Sequence, residues 1–252
     1  MYLHEAGDPQ APTLLFLHGA GLSGQQWAPQ VEALSSRFYC LAPDLPQQGR
    51  SVDLGPFVLS DAVERVAALI QQRASGGRAH VIGSSLGGAV ALGLARAHPD
   101  RVDRLIVSGA SLGLGPALAW LTRVSAGMLG WMPMELLVKQ TLDQFKVPAI
   151  YRERLHDDLV VGLRPDFNRR VADALETVPL PERADVLVLV GEQETWLARR
   201  QARGLVAAIA GATGGLARGV GHVWNLEAPE RFTATIEAFV SGAALPAGID
   251  NL

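Results

Sequence analysis

The chain has 252 residues and a formal net charge of −3 at pH 7. That length allows one large α/β domain with an insertion. The charge argues against a general affinity for nucleic acid or for an anionic membrane, because both need clustered positive charge. The single cysteine, Cys40, excludes an internal disulfide bond. The N-terminal residues lack a basic segment followed by an apolar one, so we expect no signal peptide and, by default, a cytoplasmic location.

Short apolar runs alternate with helical patterns along most of the chain. The runs are about five residues long and rich in Val, Ile and Leu, which is typical of strands buried on both faces of a parallel sheet. The predicted strands are residues 13–17, 38–42, 79–82, 105–107 and 186–190. Helical patterns cover residues 60–74, with Ser60 as the N-cap, and residues 86–98. The alternation predicts a doubly wound, mostly parallel α/β sheet.

The alternation stops between Ser111 and Pro181, where the sequence is helical with Gly and Pro interruptions. We predict an inserted helical cap at residues 111–181, with a core formed by residues 1–110 and 182–252. Arg123 lies near the middle of the most apolar stretch, which therefore favours buried or lid helices over a membrane span. Behind the insertion we predict a strand at 185–190, a helix at about 196–210, a short strand near 216–218, a helix at 229–241 and a loose C-terminal tail.

Two stretches, residues 83–87 and 109–113, have the pattern G-x-S-x-G. A nucleophilic serine on such a sheet lies on a sharp turn between a strand and a helix, and the flanking glycines avoid a collision with neighbouring elements. Ser85 follows an apolar run directly and can be followed by an uninterrupted helix. Behind Ser111, two further glycines and a proline prevent an immediate helix start. We therefore predict Ser85 as the nucleophile and Ser111 as a wall of the site.

A nucleophilic serine needs a base, and the base needs an acid that orients it. His222 lies on a Gly-rich loop between the last short predicted strand and the last helix, from which it can reach the carboxyl ends of the central strands. Glu192 and Glu194 follow the strand predicted at residues 185–190. We predict Glu194 as the acid, and Glu192 remains the alternative that could instead pair with an arginine.

A fourth component would hold the negative charge that develops on the substrate oxygen. The loop after the first predicted buried strand reads His18, Gly19, Ala20, Gly21, and its glycines let the backbone approach a ligand closely. We predict that the backbone amides of Ala20 and Leu86 donate to this oxygen. Each such donor typically contributes about two to three orders of magnitude in rate.

Taken together, these segments resemble the α/β-hydrolase superfamily, and within it the small esterase and haloperoxidase-like branch with a helical cap. The resemblance rests on HGAG, APDLPQQGRS, GSSLGG, VGEQE and GVGHVWNLEAPERF, and on the chain order of serine, acid and histidine. It implies a hydrolase that uses Ser85, Glu194 and His222, with no metal and no organic cofactor. Two features depart from the pattern: Gln47 and Gln48 stand where glycine and histidine are usual, and the acid is glutamate where aspartate is commoner.

The function that follows is a serine hydrolase of the carboxylesterase type, acting on a small-molecule ester or related acyl substrate through an acyl-enzyme. A carbon–carbon bond hydrolase or lyase with the same triad, and a non-catalytic ligand-binding protein, stay open as alternatives. The candidates for substrate binding are Gly19, Ser111, Trp120, Trp131 and Trp224. Further apolar residues of the predicted cap, which could line a pocket or simply pack, are Leu121, Met128, Leu129, Met132 and Phe145.

Overall fold

The computed structural model describes residues 1–129 and 131–252, except for the side chains of residues 127–129. In that part of the chain there are eight strands: β1 (Leu3–Ala6), β2 (Thr13–Leu17), β3 (Tyr39–Pro43), β4 (Ala79–Ser84), β5 (Val102–Ser108), β6 (Arg183–Gly191), β7 (Ala210–Ala217) and β8 (Ile249–Asn251). They form one sheet in the order β1-β3-β2-β4-β5-β6-β7-β8. The edge pairs β1 with β3 and β7 with β8 are antiparallel, and the other neighbouring strands are parallel. The predicted doubly wound, mostly parallel sheet is confirmed.

Helices cover both faces of this sheet and also connect its strands. They are α1 (Ala28–Leu34), α2 (Leu59–Arg73), α3 (Leu86–Ala97), α4 (Gly115–Leu129), α5 (Met134–Gln144), α6 (Ala149–Gly162), α7 (Pro165–Ala174), α8 (Trp196–Ala208), α9 (Trp224–Glu227) and α10 (Pro229–Ser241). None of the helices in the described residues is long and apolar enough to cross a lipid bilayer.

The two faces of the sheet bury two separate apolar layers. Successive residues of β2 point to opposite faces, so Leu15 and Leu17 pack with α2, α3 and α8, whereas Leu14 and Phe16 pack with α1 and α10. All four side chains are fully buried. Each fully buried leucine or phenylalanine side chain contributes about 1.5–3 kcal/mol relative to leaving it in water. The central strands are therefore held firmly enough to position the loops that follow them.

The structure differs from the sequence prediction mainly at one helix start, at the length of one strand and at two strands that were not predicted; the other shared elements shift by at most three residues at their ends. Helix α2 begins at Leu59 after the extended residue Val58, so Ser60 is its second residue and not its cap. Strand β7 extends over Ala210–Ala217, well beyond the predicted 216–218, because its Ala, Gly and Thr residues carry no apolar run that would indicate a strand. The C-terminal tail contains β8, which pairs with β7 at Gly215 and Asn251. Strand β1, paired with β3, was not predicted.

Helices α4 to α7 lie between β5 and β6 in chain order. A third apolar cluster joins α5 and α6 to the loops that follow β2 and β7. Leu22 and Val223 come from those loops, and Leu142, Leu155 and Leu159 come from the helices. The backbones approach so closely that a Cβ atom on Gly162, at the end of α6, would overlap Gly21. Helices α5 and α6 therefore pack against two of the loops that follow the strands.

Candidate active site

Ser85 lies on the turn between β4 and α3. Its backbone has φ 50° and ψ −113°, a conformation that is strained for a residue with a side chain. The Ser85 amide donates to the carbonyl of Ser108 on the neighbouring strand at 2.8 Å. A Cβ atom on Gly83 would lie 2.5 Å from the Gly87 oxygen, and one on Gly87 would overlap the carbonyl of Leu17. The predicted strand, turn and helix around this serine are confirmed, and so is the steric need for both glycines.

Ser111 has a different setting. Strand β5 ends at Ser108, and α4 begins only at Gly115, so no helix starts directly behind Ser111. The intervening Gly109 and Gly113 have φ values of 62° and 126°, which favour glycine in this connection. The second G-x-S-x-G match is therefore a loop that leaves the sheet for the inserted helices.

His222 and Glu194 are in direct contact. The Nδ1 atom of His222 lies 2.6 Å from Glu194 Oε2, and the Glu194 side chain is only 5% exposed. The other carboxylate oxygen accepts a hydrogen bond from the Gly191 amide at 3.0 Å. The carboxylate is thus held on both sides, so it can keep the Nδ1–H tautomer and leave Nε2 as the acceptor.

The His222 ring lies at the same strand end as Ser85. A Cβ atom on Gly109 would lie 2.5 Å from His222 Cε1, so the ring rests against Gly109. Gly109 directly follows Ser108, whose carbonyl binds the Ser85 amide. Phe145 of the inserted segment stacks on the imidazole with ring centroids 5.4 Å apart. The structure therefore brings the predicted serine, acid and histidine to one place.

Glu192 is engaged elsewhere. One of its oxygens lies 2.6 Å from Arg218 Nη1, and the other accepts a hydrogen bond from the Gly219 amide at 2.9 Å. The Gly219 hydrogen bond and the Arg218 charge hold the pKa of Glu192 below its usual value. Glu192 therefore pairs with an arginine, which is the alternative that the sequence left open for it. Of the two glutamates, Glu194 is the one that contacts the histidine.

Glu227 is a further carboxylate near this pair, and sequence reasoning missed it. Both of its oxygens accept from the Gly221 amide at 3.1 Å, which fixes the backbone immediately before His222. Burial raises the pKa of Glu227, and the nearby Glu194 carboxylate adds to that rise. The sequence signal was an acidic residue at the end of the short apolar stretch VWNL behind the histidine.

The loop after β2, residues 18–23, which we call the β2 loop, holds the amides on either side of Ala20. Gly19 N donates to Gln26 Oε1 at 2.9 Å, and Gly21 N donates to Gln48 Oε1 at 2.8 Å. Within the described residues, the Ala20 amide between them has no protein acceptor. The amide of Leu86, the first residue of α3, is likewise one of the donors that a helix start leaves unpaired. Both predicted oxyanion donors are therefore available.

His18 orients the peptide group that carries the Ala20 amide. Its Nδ1 atom lies 2.8 Å from the Gly19 carbonyl oxygen, and its Nε2 atom accepts from the Leu45 amide at 2.9 Å. Burial lowers the pKa of His18 to about 4, so the ring is neutral near pH 7. Because the Gly19 carbonyl and the Ala20 N–H point in opposite directions in one planar group, this hydrogen bond turns the N–H away from His18.

The predicted substrate-binding residues are not all at the site. Gly19 is, because a Cβ atom there would lie 3.7 Å from Ser85 Cβ. Trp224 is not: it is fully buried in the core against Phe232, and its indole N–H donates to Ser108 Oγ at 3.0 Å. Trp120 and Trp131 are 62% and 91% exposed. Of the other apolar candidates of the insertion, the side chains of Met128 and Leu129 lie outside the described residues.

A small apolar cavity adjoins the β2 loop and the histidine. Its volume is about 20 Å³, room for roughly one water molecule. Apart from Thr141, its lining is apolar: Ala20, Leu22, Leu142, Phe145, Val147, Leu155, Leu159, Val223 and Leu226. A much larger cavity of about 1000 Å³ lies between α2, α3 and α7, and neither Ser85, Glu194 nor His222 lines it. The smaller cavity is also not lined by these three residues, but it touches Ala20 and Phe145, which stacks on His222.

A buried carboxylate ties the inserted helices to the β2 loop. Asp158 on α6 is 8% exposed, and Ser23 Oγ donates to its Oδ2 at 2.5 Å. Burial raises the pKa of Asp158 to about 6, and the charge of the nearby Asp44 adds to the rise. Folding therefore favours the protonated form, and this group's contribution to stability is lost as pH rises from about 4 to about 6.

Asp158→Asn is expected to raise the free energy of unfolding at pH 8 by up to about 3 kcal/mol, because the amide accepts from Ser23 without the cost of a buried charge. At pH 3, where Asp158 is mostly protonated in both the folded and the unfolded state, the two proteins should differ little. Urea unfolding at both pH values measures this difference. A variant that is less stable than the wild type at pH 8 would contradict the assignment of a buried, costly charge.

A sequence profile of the alpha/beta hydrolase family matches residues 14–235 of the chain. The chain belongs to the alpha/beta hydrolase family. The resemblance noted in the sequence is thereby confirmed, and the eight-stranded, mostly parallel sheet is the fold of that family. Esterases are among the proteins to which this alpha/beta hydrolase family member is similar.

Curated relatives of this alpha/beta hydrolase carry names from more than one hydrolytic activity. The RutD protein of Caulobacter sp. (strain K31), whose name describes a carbamate hydrolase, is 30% identical over 250 residues, 92% of this chain and 91% of that protein. A pimeloyl-(acyl-carrier protein) methyl ester esterase from Aeromonas hydrophila subsp. hydrophila is 34% identical over 156 residues, 60% of this chain and 59% of that protein. The chain spans 38% of an AB hydrolase superfamily protein from Gibberella zeae, with 42% identity over 107 residues, 42% of this chain.

Among solved structures, the enol-lactonase from Burkholderia xenovorans LB400 is similar over nearly the whole chain. The TM-score is 0.78 with 25% sequence identity, and the match covers 95% of this hydrolase and 96% of that chain. A TM-score of this size over such coverage agrees with the family assignment from the sequence profile.

Proposed function

We propose that this protein is a serine hydrolase of the carboxylesterase type, with Ser85 as nucleophile, His222 as base and Glu194 as orienting acid. The observation that carries the proposal is the 2.6 Å contact between Glu194 and His222 Nδ1, at the strand end where Ser85 occupies its strained turn. A serine, a histidine and a carboxylate arranged in this way activate a hydroxyl that is otherwise a weak nucleophile.

The proposed reaction proceeds through an acyl-enzyme. The Ser85 hydroxyl gives its proton to His222 Nε2 while its oxygen attacks the ester carbonyl, and the resulting oxyanion accepts hydrogen bonds from the Ala20 and Leu86 amides. His222 then returns the proton to the departing alcohol. A water molecule, deprotonated by the same nitrogen, attacks the acyl group and releases the acid and the free serine.

The substrate class that we propose is a small carboxylic ester or a related acyl compound. The side chains packed around Ala20 are apolar apart from Thr141, which supports an uncharged substrate group next to Ala20, because a charged group would lose hydration without gaining a partner. The names of two similar proteins, a methyl ester esterase and an enol-lactonase, describe enzymes that act on esters and support the same class. In this proposal residues 111–181 are a cap over the core formed by residues 1–110 and 182–252.

A fluorophosphonate probe followed by tryptic mapping tests the proposal. We expect the label on the peptide from Ala79 to Arg96, with fragmentation placing it on Ser85 and not on Ser84, because only an activated serine reacts rapidly. We also expect turnover of p-nitrophenyl esters by the same preparation. A label on the peptide from Leu105 to Arg123, which contains Ser111, would assign a different nucleophile, and absence of both label and turnover would overturn the proposal.

A further inference from the structure

Two buried amide side chains connect the loop that carries Ala20 with the segment that carries His222. Gln26 and Asn225 are 199 positions apart in the chain, and both are almost completely inaccessible to solvent. Gln26 Nε2 donates to Asn225 Oδ1 at 3.2 Å, and Asn225 Nδ2 donates to the Gln26 carbonyl at 3.0 Å. We refer to this pair as the amide bridge.

The amide bridge is fastened to the β2 loop at one end. Gln26 Oε1 accepts from the Gly19 amide at 2.9 Å, so the side chain of Gln26 has partners for both its oxygen and its nitrogen. The same donor and acceptor pattern decides the orientation of the amide, because a flipped side chain would turn an NH₂ group toward the Gly19 N–H. The Gly19 position is one residue before the proposed oxyanion donor, Ala20.

At its other end the amide bridge is fastened behind the histidine. Asn225 is the second residue of α9, three residues after His222, and its carbonyl accepts from Gln30 Nε2 at 2.9 Å. Glu227 holds the backbone before His222 through the Gly221 amide. A movement of the β2 loop relative to His222 would therefore leave several buried polar groups unpaired, which is costly.

From this geometry we infer that Gln26 and Asn225 are positioning residues, which keep the Ala20 amide and the His222 ring at a constant distance from each other. The inference rests on the proposed function, since the two loops then supply the oxyanion donor and the base. Neither side chain touches the reacting atoms. Their effect is to keep both groups in register with Ser85, where a misplacement of about 1 Å costs about 100-fold in rate.

Kinetics of Gln26→Met, Asn225→Leu and the double variant test the inference. We express kcat per fluorophosphonate-reactive site, so that misfolded protein does not lower the measured value. We expect each single variant to lose about 10- to 100-fold in kcat, with KM changed less than about twofold. The kcat of the double variant should be at most about threefold below that of the slower single variant, because both substitutions break the same bridge. Thr235→Val is the control: Thr235 is equally buried but bonds only within α10, and its kcat should stay unchanged.

Hydrogen exchange separates this inference from the proposed function. In Asn225→Leu, the amides of residues 18–27 should exchange faster, although the substitution lies far away in the sequence, whereas Thr235→Val should leave them unchanged. If Gln26→Met does not fold, Gln26→Glu keeps an acceptor for Gly19 but cannot donate to Asn225, and the same loss in kcat is expected. Unchanged exchange at residues 18–27, or losses that multiply in the double variant, would overturn the inference. A wild type without turnover or label would instead overturn the proposed function alone.

Discussion

Ser85→Ala is expected to lower kcat for ester hydrolysis by about 10⁴- to 10⁶-fold and to abolish fluorophosphonate labelling. The hydroxyl is the group that forms the covalent bond in the proposed reaction, and alanine leaves nothing in its place. The neighbouring oxyanion donors and the cavity remain, so the residual rate should come from binding and polarisation alone. Initial rates with p-nitrophenyl esters, together with gel fluorescence of the labelled protein, measure both effects.

Ser111→Ala is the matched variant, because it alters the serine of the second G-x-S-x-G match. Ser111 lies in the connection between β5 and α4, with no helix start behind it. Labelling should therefore persist in Ser111→Ala, and a change should be confined to KM if the side chain lines the site. Labelling that survives in Ser85→Ala but disappears in Ser111→Ala would assign the nucleophile to the other serine.

Glu194→Gln is expected to lower kcat by about 10²- to 10⁴-fold with little change in KM. The carboxylate at 2.6 Å from Nδ1 stabilises both the productive tautomer and the imidazolium that forms during the attack. A neutral amide removes the charge and can present its NH₂ group to Nδ1, which favours the unproductive tautomer. The pH dependence of kcat at saturating ester measures the effect, and the loss should be present across the active range.

The same substitution two residues earlier is the control for this prediction. Glu192→Gln removes the ion pair with Arg218, whose side chain is 52% exposed, and an exposed pair of this kind contributes about 0–1 kcal/mol to stability. Its carboxylate does not touch His222, so kcat should remain within about twofold of the wild type. A large loss in Glu192→Gln with a normal Glu194→Gln would show that the acid has been assigned to the wrong residue.

Much of the sheet could be predicted because the relevant interactions are local in sequence. Strand β2 has the predicted bounds, and α10 does as well, since a buried parallel strand and a helix after proline each leave a periodic or compositional signal. The strands that were missed lack that signal: β1 is only half-buried, and β8 is a three-residue strand that pairs with the end of β7. Strand β7 was predicted only at residues 216–218, because the rest of it is rich in Ala and Gly. Trp224 was predicted to bind substrate but packs in the core. The sequence does not distinguish a tryptophan that packs into the core from one that faces a ligand.

The turn at Ser85 could be predicted from sequence, because its two glycines lie between an apolar strand pattern and an uninterrupted helix pattern that are local in the chain. The order of serine, acid and histidine was readable in the same way. The clash with the Leu17 carbonyl that requires Gly87 comes from the neighbouring strand of the folded sheet. Which of the two glutamates meets His222 depends on the fold: Glu194 contacts the ring and Glu192 pairs with Arg218, because two carboxylates on one turn share their chemistry and differ only in direction. The contact between Gln26 and Asn225 also belongs to the tertiary structure, because two amides so far apart in the chain pair only once the sheet has brought their loops together.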